Sequence, residues 1–261
     1  MTRPDLIVFS DLDGTLLDHD TYSFDAAKPM LIRLKHLGFP VVLASSKTAP
    51  EMVPIRQAMA LGPVPMICEN GAGLVDADVQ TVRTGPEYVR LRSGLDAIDA
   101  RLRAMFEGFG DMGAERIADV TGLTRQQADL AGQRSFSEPG LWHGSADQQD
   151  RFVDALRGQG IAARMGGRFL TLSFGATKAD RMHNIAADYQ NPPSVALGDA
   201  PNDLEMLNTA DYGIIIANPH RPPLPEQPGE AQGRICRTTQ AGPAGWTEGL
   251  TALLSKLNIE D

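Results

Sequence analysis

The chain of 261 residues predicts an α/β fold: a Rossmann-like, doubly wound parallel-sheet core interrupted by an inserted α+β segment. Two observations carry that expectation. Short apolar runs alternate with amphipathic helical stretches at both ends of the chain, the pattern of a parallel sheet covered by helices on both faces. Between about 84 and 175 that rhythm stops, and polar connections with alternating strand patterns replace it.

The elements follow in order. Residues 6–9 are an apolar run with β-branched members, a buried strand, and Asp11-Leu12-Asp13-Gly14-Thr15-Leu16 comes just after it. A helix is expected over 25–37, with Ala26, Ala27, Met30, Leu31, Leu34 and Leu37 on one face and Gly38 as its stop. A second strand over 39–44 leads into Ser45-Ser46-Lys47-Thr48, a helix spans 51–61, and a third strand over 65–68 runs into Glu69-Asn70-Gly71-Ala72. Inside the insertion, helices are expected around 88–106 and 147–159 and strands at 140–142 and 168–174, while residues 111–120 show no readable pattern. A helix over 176–189, a strand over 194–197, a helix over 203–208 and a strand over 212–217 restore the α/β rhythm. A Pro-rich surface loop over 219–229 and a closing helix over 245–257 complete the reading.

Composition narrows the possible partners. Hydrophobic content of 42% and charged content of 22% are those of an ordinary globular chain. No apolar run approaches the ~20 residues of a membrane helix, and no signal-peptide pattern precedes the first strand, so a cytoplasmic protein is expected. Cys68 and Cys236 lack metal-ligand spacing and read as small buried hydrophobes rather than a disulfide. Five scattered histidines make no zinc pattern. A formal net charge of −9 with no basic stripe argues against nucleic acid. An anionic substrate would therefore be met by a few well-placed cations. Nothing in the sequence sets the oligomeric state.

The chemistry concentrates at the ends of strands. Asp11 and Asp13 lie one residue apart as the chain leaves the first strand, on one side by period-2 geometry. Two close carboxylates repel, so the pair implies a metal ion or a shared proton. Ligands of open α/β sheets bind beyond the C-terminal strand ends. The second strand delivers Ser45 there, whose hydroxyl can donate to a phosphoryl oxygen. The 194–197 strand delivers Gly198-Asp199-Ala200-Pro201-Asn202-Asp203, an oxygen-rich turn suited to a hard cation such as Mg²⁺. Asp199 or Asn202 can equally cap the following helix, and Asn202 and Asp203 can cap and still face a metal. Lys178 opens the 176–189 helix, where it opposes the helix dipole; a phosphate between them removes the conflict.

In order, D-x-D-G-T, a hydroxyl residue after the second strand, a lysine after the insertion and G-D-x-x-N-D resemble the haloacid dehalogenase superfamily, in its capped Cof-type branch. The matching motifs cover 6–75 and about 176–217. The resemblance implies a core of residues 1–84 and 176–261 and an α+β cap of residues 85–175 that sets substrate specificity. It also implies a reaction: Asp11 attacks phosphorus and forms an aspartyl-phosphate, and Asp13 protonates the leaving oxygen and then activates water. Ser45 and Lys178 would hold the phosphoryl group, and Asp199 would bind Mg²⁺ with Asp11 and the Asp13 carbonyl, supported by Asn202 and Asp203. Covalent catalysis of this kind splits one hard step into two, and phosphoryl transfer needs positioning and charge neutralisation above all.

Within that branch the second motif usually continues as Gly-Arg; here Ser46-Lys47-Thr48 follows Ser45. Further fragments are Glu69-Asn70-Gly71-Ala72, Thr121-Gly122-Leu123, Gln133-Arg134-Ser135-Phe136-Ser137-Glu138-Pro139, Gly166-Gly167-Arg168-Phe169 and Gly242-Pro243-Ala244-Gly245-Trp246. Together they resemble the mannosyl-3-phosphoglycerate phosphatase family, which implies a phosphoric monoester hydrolase yielding mannosylglycerate, a compatible solute. The implied partner is a small phosphorylated glycosyl-glycerate. A glucosyl-3-phosphoglycerate, another sugar phosphate, or a phosphomannomutase-like transfer are the alternatives. Such a substrate carries a carboxylate and a phosphate. Arg168, after Gly167, is the expected carboxylate clamp, and Lys47 holds the second charge, with Ser46 and Thr48 beside it. Arg134 and Glu138 face the glycerate or sugar, or else pair with each other inside the cap. Glu69 bonds a sugar hydroxyl or orients Lys47. The segment Asn218-Pro219-His220-Arg221-Pro222 receives no role.

Overall fold

The computed structural model describes residues 4–77 and 85–260. The expected junction at 84 lies outside them. Strand β1 (Ile7–Ser10) leads to α1 (Lys28–His36), β2 (Val41–Leu43), α2 (Ala49–Ala58), β3 (Met66–Cys68) and β4 (Gly73–Val75). Next come α3 (Pro86–Asp96), α4 (Ala100–Arg103), β5 (Phe106–Gly108), α5 (Ala114–Thr121), α6 (Arg125–Gly132), β6 (Glu138–Trp142), α7 (Ala146–Arg157), β7 (Ala162–Gly166) and β8 (Phe169–Ser173). The chain returns through α8 (Lys178–Asp188), β9 (Ser194–Gly198), α9 (Leu204–Thr209), β10 (Tyr212–Ala217), α10 (Pro228–Ala231), β11 (Ile235–Ala241) and α11 (Gly242–Lys256).

Five strands form one parallel sheet in the order β11-β10-β9-β1-β2. Alternation along the strands divides the core in two. Val8, Val41, Leu43, Val195, Leu197, Ile214 and Ile216 point to the face covered by α1, α2 and α11. Ile7, Phe9, Val42, Ala196 and Ile215 point to the other, under Met182 and Ile185 of α8 and Met206 and Leu207 of α9. The fold is the doubly wound α/β core that the sequence predicts. Each fully buried aliphatic or aromatic side chain here contributes about 1.5–3 kcal/mol, which is why the strands read so clearly as apolar runs.

The third strand differs from expectation. β3 touches the sheet through a single parallel bridge, Ala44 to Ile67, and pairs antiparallel with β4 as a hairpin. The left-handed residues Glu69 (φ 53°), Asn70 (φ 58°) and Gly71 (φ 93°) make the turn. No local pattern announces three such residues in a row, and two of them are not glycine.

The insertion carries a four-stranded antiparallel sheet, β5-β6-β8-β7, over its own apolar cluster of Leu91, Leu95, Phe106, Phe152, Leu156, Leu170 and Leu172. The 88–106 helix is broken, because Asp99 caps a new turn by accepting from Arg101 and Leu102 N–H. Residues 111–120, unreadable in sequence, contribute to α5, where only Ile117 is buried. Four strands are missed in sequence: β4, which depends on the turn at 69–71, and β5, β7 and β11, which share a cause. β5 has three residues, β7 buries none of its five, and edge strand β11 buries only Ile235 and Thr238. Such segments lack period-2 apolar alternation. Cys236 is exposed on β11, against the expectation of burial; Cys68 is buried, and both thiols are free. Among the described residues no helix is long and apolar enough to cross a membrane.

Candidate active site

Three aspartates converge where β1 and β9 end. Asp11 follows β1, and its N–H donates to Leu197 O in β9 at 2.9 Å, which fixes the two strand ends side by side. Asp199 follows β9, and Asp203 opens α9. Asp11, Asp199 and Asp203 are buried, and each offers a carboxylate oxygen within 4.8 Å of the others. Lys178, the first residue of α8, lies 2.7 Å from Asp11 Oδ1 and 2.7 Å from Asp203 Oδ1 and is itself buried. Thr177 caps that helix through a capping box with Asp180, so the lysine's position is set by the start of α8.

The balance of charge is the chemical point. Burial, then the charges of Asp203 and Asp199, push the Asp11 carboxyl well above the usual carboxylate range, against the pull of Lys178. Burial also raises Asp199, while Asn218, Arg221 and Thr15 work the other way. Lys178 stays firmly charged because Asp11 and Asp203 outweigh its burial. Three carboxylates against one buried ammonium leave an excess of negative charge where charge is costly. An all-oxygen donor set with that excess fits a divalent hard cation such as Mg²⁺.

Residues around the cluster hold it in place. Asp203 Oδ2 accepts from the N–H groups of Asp199 (3.2 Å) and Ala200 (3.0 Å), closing the turn after β9. Asp199 accepts from Thr15 Oγ1 (3.0 Å) and Asn218 Nδ2 (2.6 Å), and Arg221 Nε lies 3.6 Å away. Beneath Asp11, buried Trp246 donates Nε1–H to Ser10 Oγ (2.9 Å), and Ser10 Oγ–H donates to the Asp11 carbonyl (2.8 Å). Gly71 sits against the Thr177–Lys178 backbone so closely that a Cβ would collide with it, and Arg181 donates to Gly71 O and Ala72 O. The β3–β4 turn is thereby part of the seat of Lys178. Gly14, at φ +82°, would carry its Cβ 3.1 Å from both Asn218 Nδ2 and Asp199 Oδ2. Gly14→Ala is expected to cost about 1–2 kcal/mol of stability, from the left-handed backbone and the contact. Denaturant unfolding of the two proteins would measure this.

The remaining expected residues separate into groups. Asp13 and Lys47 meet: Lys47 Nζ is 2.9 Å from Asp13 Oδ2, while Asp13 Oδ1 is buried with no hydrogen-bond partner among the described residues. Burial opposes the charge on Lys47, but Asp13 and Glu51 overcome it and hold its pKa above the ordinary lysine value. Ser45, buried after β2, accepts from Lys47 N–H at 3.2 Å and keeps its own proton to donate. Ser46 is exposed.

Several expectations need correction. Thr48 is not a substrate contact: its hydroxyl caps α2 with Glu51 and donates to Leu130 O of the insertion at 2.9 Å. Glu69 does not face a sugar or orient Lys47. Its buried carboxylate accepts from Ser135, Phe136 and Ser137 N–H and from Ser137 Oγ, at 2.7–3.2 Å, a job that three approaching backbone donors assign to it. Arg134 and Glu138 do not pair. Arg134 Nε lies 3.3 Å from Glu69 Oε2, with Nη1 donating to Ser46 O and Nη2 to Ser137 Oγ. Glu138 is fully buried, taken by Arg92 (2.5 Å), Tyr88 (2.6 Å) and Gly110 N–H, and so is removed from any ligand. Asn202 is exposed and donates to Asn70 Oδ1 at 3.2 Å, bridging to the β3–β4 turn rather than joining the aspartates. Gly167 and Arg168 form the exposed β7–β8 hairpin tip, with Arg168 Nη2 donating to Thr121 O at 3.3 Å. Sequence reasoning missed Asn218, Arg221, Thr15, Ser10 and Trp246 as supports.

The family model described as haloacid dehalogenase-like hydrolase matches residues 8–84 and 155–222, more than half of the chain. The chain is a haloacid dehalogenase-like hydrolase. Its fold is shared with solved members of the superfamily. One is a phosphatase of the haloalkanoate superfamily from Bacteroides thetaiotaomicron, 19% identical, covering 100% of this chain and 96% of that one with a TM-score of 0.66. A subclass IIB sugar phosphatase is 14% identical over 97% and 99% of the two chains, with a TM-score of 0.62. The sucrose-phosphatase of Synechocystis, solved with sucrose and phosphate, is 13% identical over 99% of each, with a TM-score of 0.60. These likenesses show that the hydrolase has the fold of capped members of the superfamily, a parallel-sheet core with the antiparallel sheet of the insertion as its cap.

Proposed function

We propose that this hydrolase is a Mg²⁺-dependent phosphatase of glycosyl-3-phosphoglycerates, with mannosyl-3-phosphoglycerate as its substrate. The observation that carries the chemistry is the juxtaposition of Asp11, clamped by Lys178 among two further carboxylates, with Asp13, whose Oδ1 has no partner among the described residues. Residues 85–175 serve as the specificity cap and residues 1–84 and 176–261 as the catalytic core.

Asp11 attacks phosphorus, and the bond between phosphorus and the glycerate oxygen breaks as Asp13 delivers its proton to that oxygen. Asp13, now a carboxylate, takes a proton from water, and the water oxygen displaces Asp11 from phosphorus to release phosphate. Lys178 and the Ser45 hydroxyl hold the non-bridging phosphoryl oxygens through both steps. The residues that would hold Mg²⁺ are Asp11, Asp199 and the Asp13 carbonyl, backed by Asp203, and the ion supplies positive charge to the phosphoryl oxygens. Lys47, held at the site by Asp13, is placed to meet the substrate's second negative charge. Arg168 has donors to spare beyond Thr121 O and takes the glycerate carboxylate as a bidentate partner. The neighbouring sugar phosphatase and sucrose-phosphatase support a phosphorylated sugar as the substrate class.

Phosphate release with Mg²⁺ from mannosyl-3-phosphoglycerate, its glucosyl analogue, 3-phosphoglycerate and mannose 6-phosphate, side by side, tests the reading. A strong preference for the two glycosyl-phosphoglycerates is expected, and the ratio between them names the sugar. Preference for simple sugar phosphates would remove the assigned specificity, and a requirement for a bisphosphate activator would indicate a mutase. Arg168→Ala is expected to lower kcat/KM for the glycosyl-phosphoglycerate by about 100-fold while sparing a small aryl phosphate. Equal losses on both would rule out the clamp.

A further inference from the structure

The rim of the catalytic edge brings together three side chains that no part of the phosphatase chemistry uses. His19 and Asp20 lie on the loop after the D-x-D-G-T turn, and His220 lies on the loop after β10, 200 positions away in the chain. One potential ligand atom from each sits within 4.8 Å of the other two. The two imidazoles are stacked with centroids 4.1 Å apart, and His220 Nε2 lies 3.8 Å from Asp20 Oδ2. We propose that His19, Asp20 and His220 form a binding site for one zinc-class divalent transition-metal ion, separate from the acidic cluster.

Donor chemistry selects the class of ion. Two imidazole nitrogens and one carboxylate suit Zn²⁺, Co²⁺ or Ni²⁺, whereas Mg²⁺ takes oxygen donors and keeps its waters. A three-ligand set also leaves open positions on the ion, the pattern of accessible rather than purely structural zinc. Both loops are shaped in advance. Asp18 accepts from Asp20 N–H (3.3 Å), Thr21 N–H (2.9 Å) and Thr21 Oγ1 (2.7 Å), which curls the first loop and presents Asp20. His220 N–H donates to Asn218 Oδ1 at 2.8 Å, and Pro219, Pro222 and Pro223 stiffen the second loop. Metal bonds of roughly 2.0–2.2 Å require the donors to close in by about 1–1.5 Å. His220 and Asp20 are 41% and 73% exposed, so that closure is a side-chain rotation in solvent with no core packing to oppose it. Ring stacking alone accounts for the two imidazoles but not for the carboxylate beside them. The chain's charge of −9 draws cations to its surface in general.

An occupant would tie the two loops together through these side chains. The second of them carries Asn218 and Arg221, which hold Asp199, so the rim ion and the acidic cluster share a support.

Titration with Co²⁺ in the presence of saturating Mg²⁺, followed by the visible absorption of nitrogen-ligated cobalt, tests the site. Stoichiometric binding is expected, lost in His19→Ala and in His220→Ala and retained in Asp11→Asn. Both histidine variants should keep the thermal midpoint and the Mg²⁺-dependent phosphatase activity of the parent, since both side chains are at the surface. Absence of stoichiometric binding under saturating Mg²⁺ would overturn the proposal. So would binding that survives both histidine variants, or binding that disappears in Asp11→Asn, which would locate the cobalt in the acidic cluster.

Discussion

Asp11→Asn is expected to reduce phosphate release by at least about 10³-fold on every substrate, because it removes the proposed nucleophile. The same substitution should leave the protein as stable as the parent or more so. The introduced amide would keep an oxygen for Lys178 to donate to, and Lys178 would keep Asp203 at 2.7 Å. What disappears is a buried carboxylate whose environment already resists its charge. Activity falling while the thermal midpoint holds or rises is the signature of a group retained for chemistry at a cost in stability. A variant that still forms a hydroxylamine-labile phosphoprotein on incubation with substrate would show that the nucleophile lies elsewhere.

Glu69→Ala carries the largest expected loss of stability, about 3–5 kcal/mol, because it breaks a buried pair and strands its partners. Three backbone N–H groups of the Ser135–Ser137 segment would lose their acceptor, and Arg134 would lose the nearest carboxylate. Buried donors left without partners cost about 1–3 kcal/mol each, less where water enters. Glu69→Gln keeps one carbonyl oxygen and should fall between the parent and the alanine variant. Denaturant unfolding of the three proteins measures this; a difference under about 1 kcal/mol for Glu69→Ala would mean that the core–cap contact is not held by this side chain. The effect on a small aryl phosphate should be milder than that on stability, since Glu69 touches none of the aspartates.

How much of the molecule is legible in its sequence depends on where each signal resides. Asp11, Ser45, Lys178, Asp199 and Asp203 stand at the ends of buried strands or the start of a helix, and a local pattern marks each one. Sheet alternation in β1, β2, β9 and β10 is readable for the same reason, since both faces of these strands are covered. Asn218, Arg221, Thr15 and Trp246 are not readable, because their roles are set by approaches across 19 to 236 positions of sequence. Glu69 reads as a ligand for a sugar because an acidic residue beside a turn looks available. Only the arrival of residues 135–137 shows that its carboxylate is already taken. The edge strands β7 and β11 escape notice because a strand with one solvated face and few apolar residues has little to distinguish it from a loop.

The position of β1 in the sheet has a consequence for how the molecule comes into being. β1 pairs with β2 some 33 positions on, but its other neighbour, β9, starts 187 positions later, after the whole cap has been made. Asp11 is therefore synthesised long before its surroundings are complete: its backbone waits for Leu197, its carboxylate for Lys178, and the support under Ser10 for Trp246. Closing loops of that length is slow. On a ribosome the cap sheet, whose four strands all lie between Phe106 and Ser173, has everything it needs to form first. Catalytic competence is then a late event in synthesis, and a nascent chain stalled before β9 would carry a folded cap beside an acidic strand end still open to water.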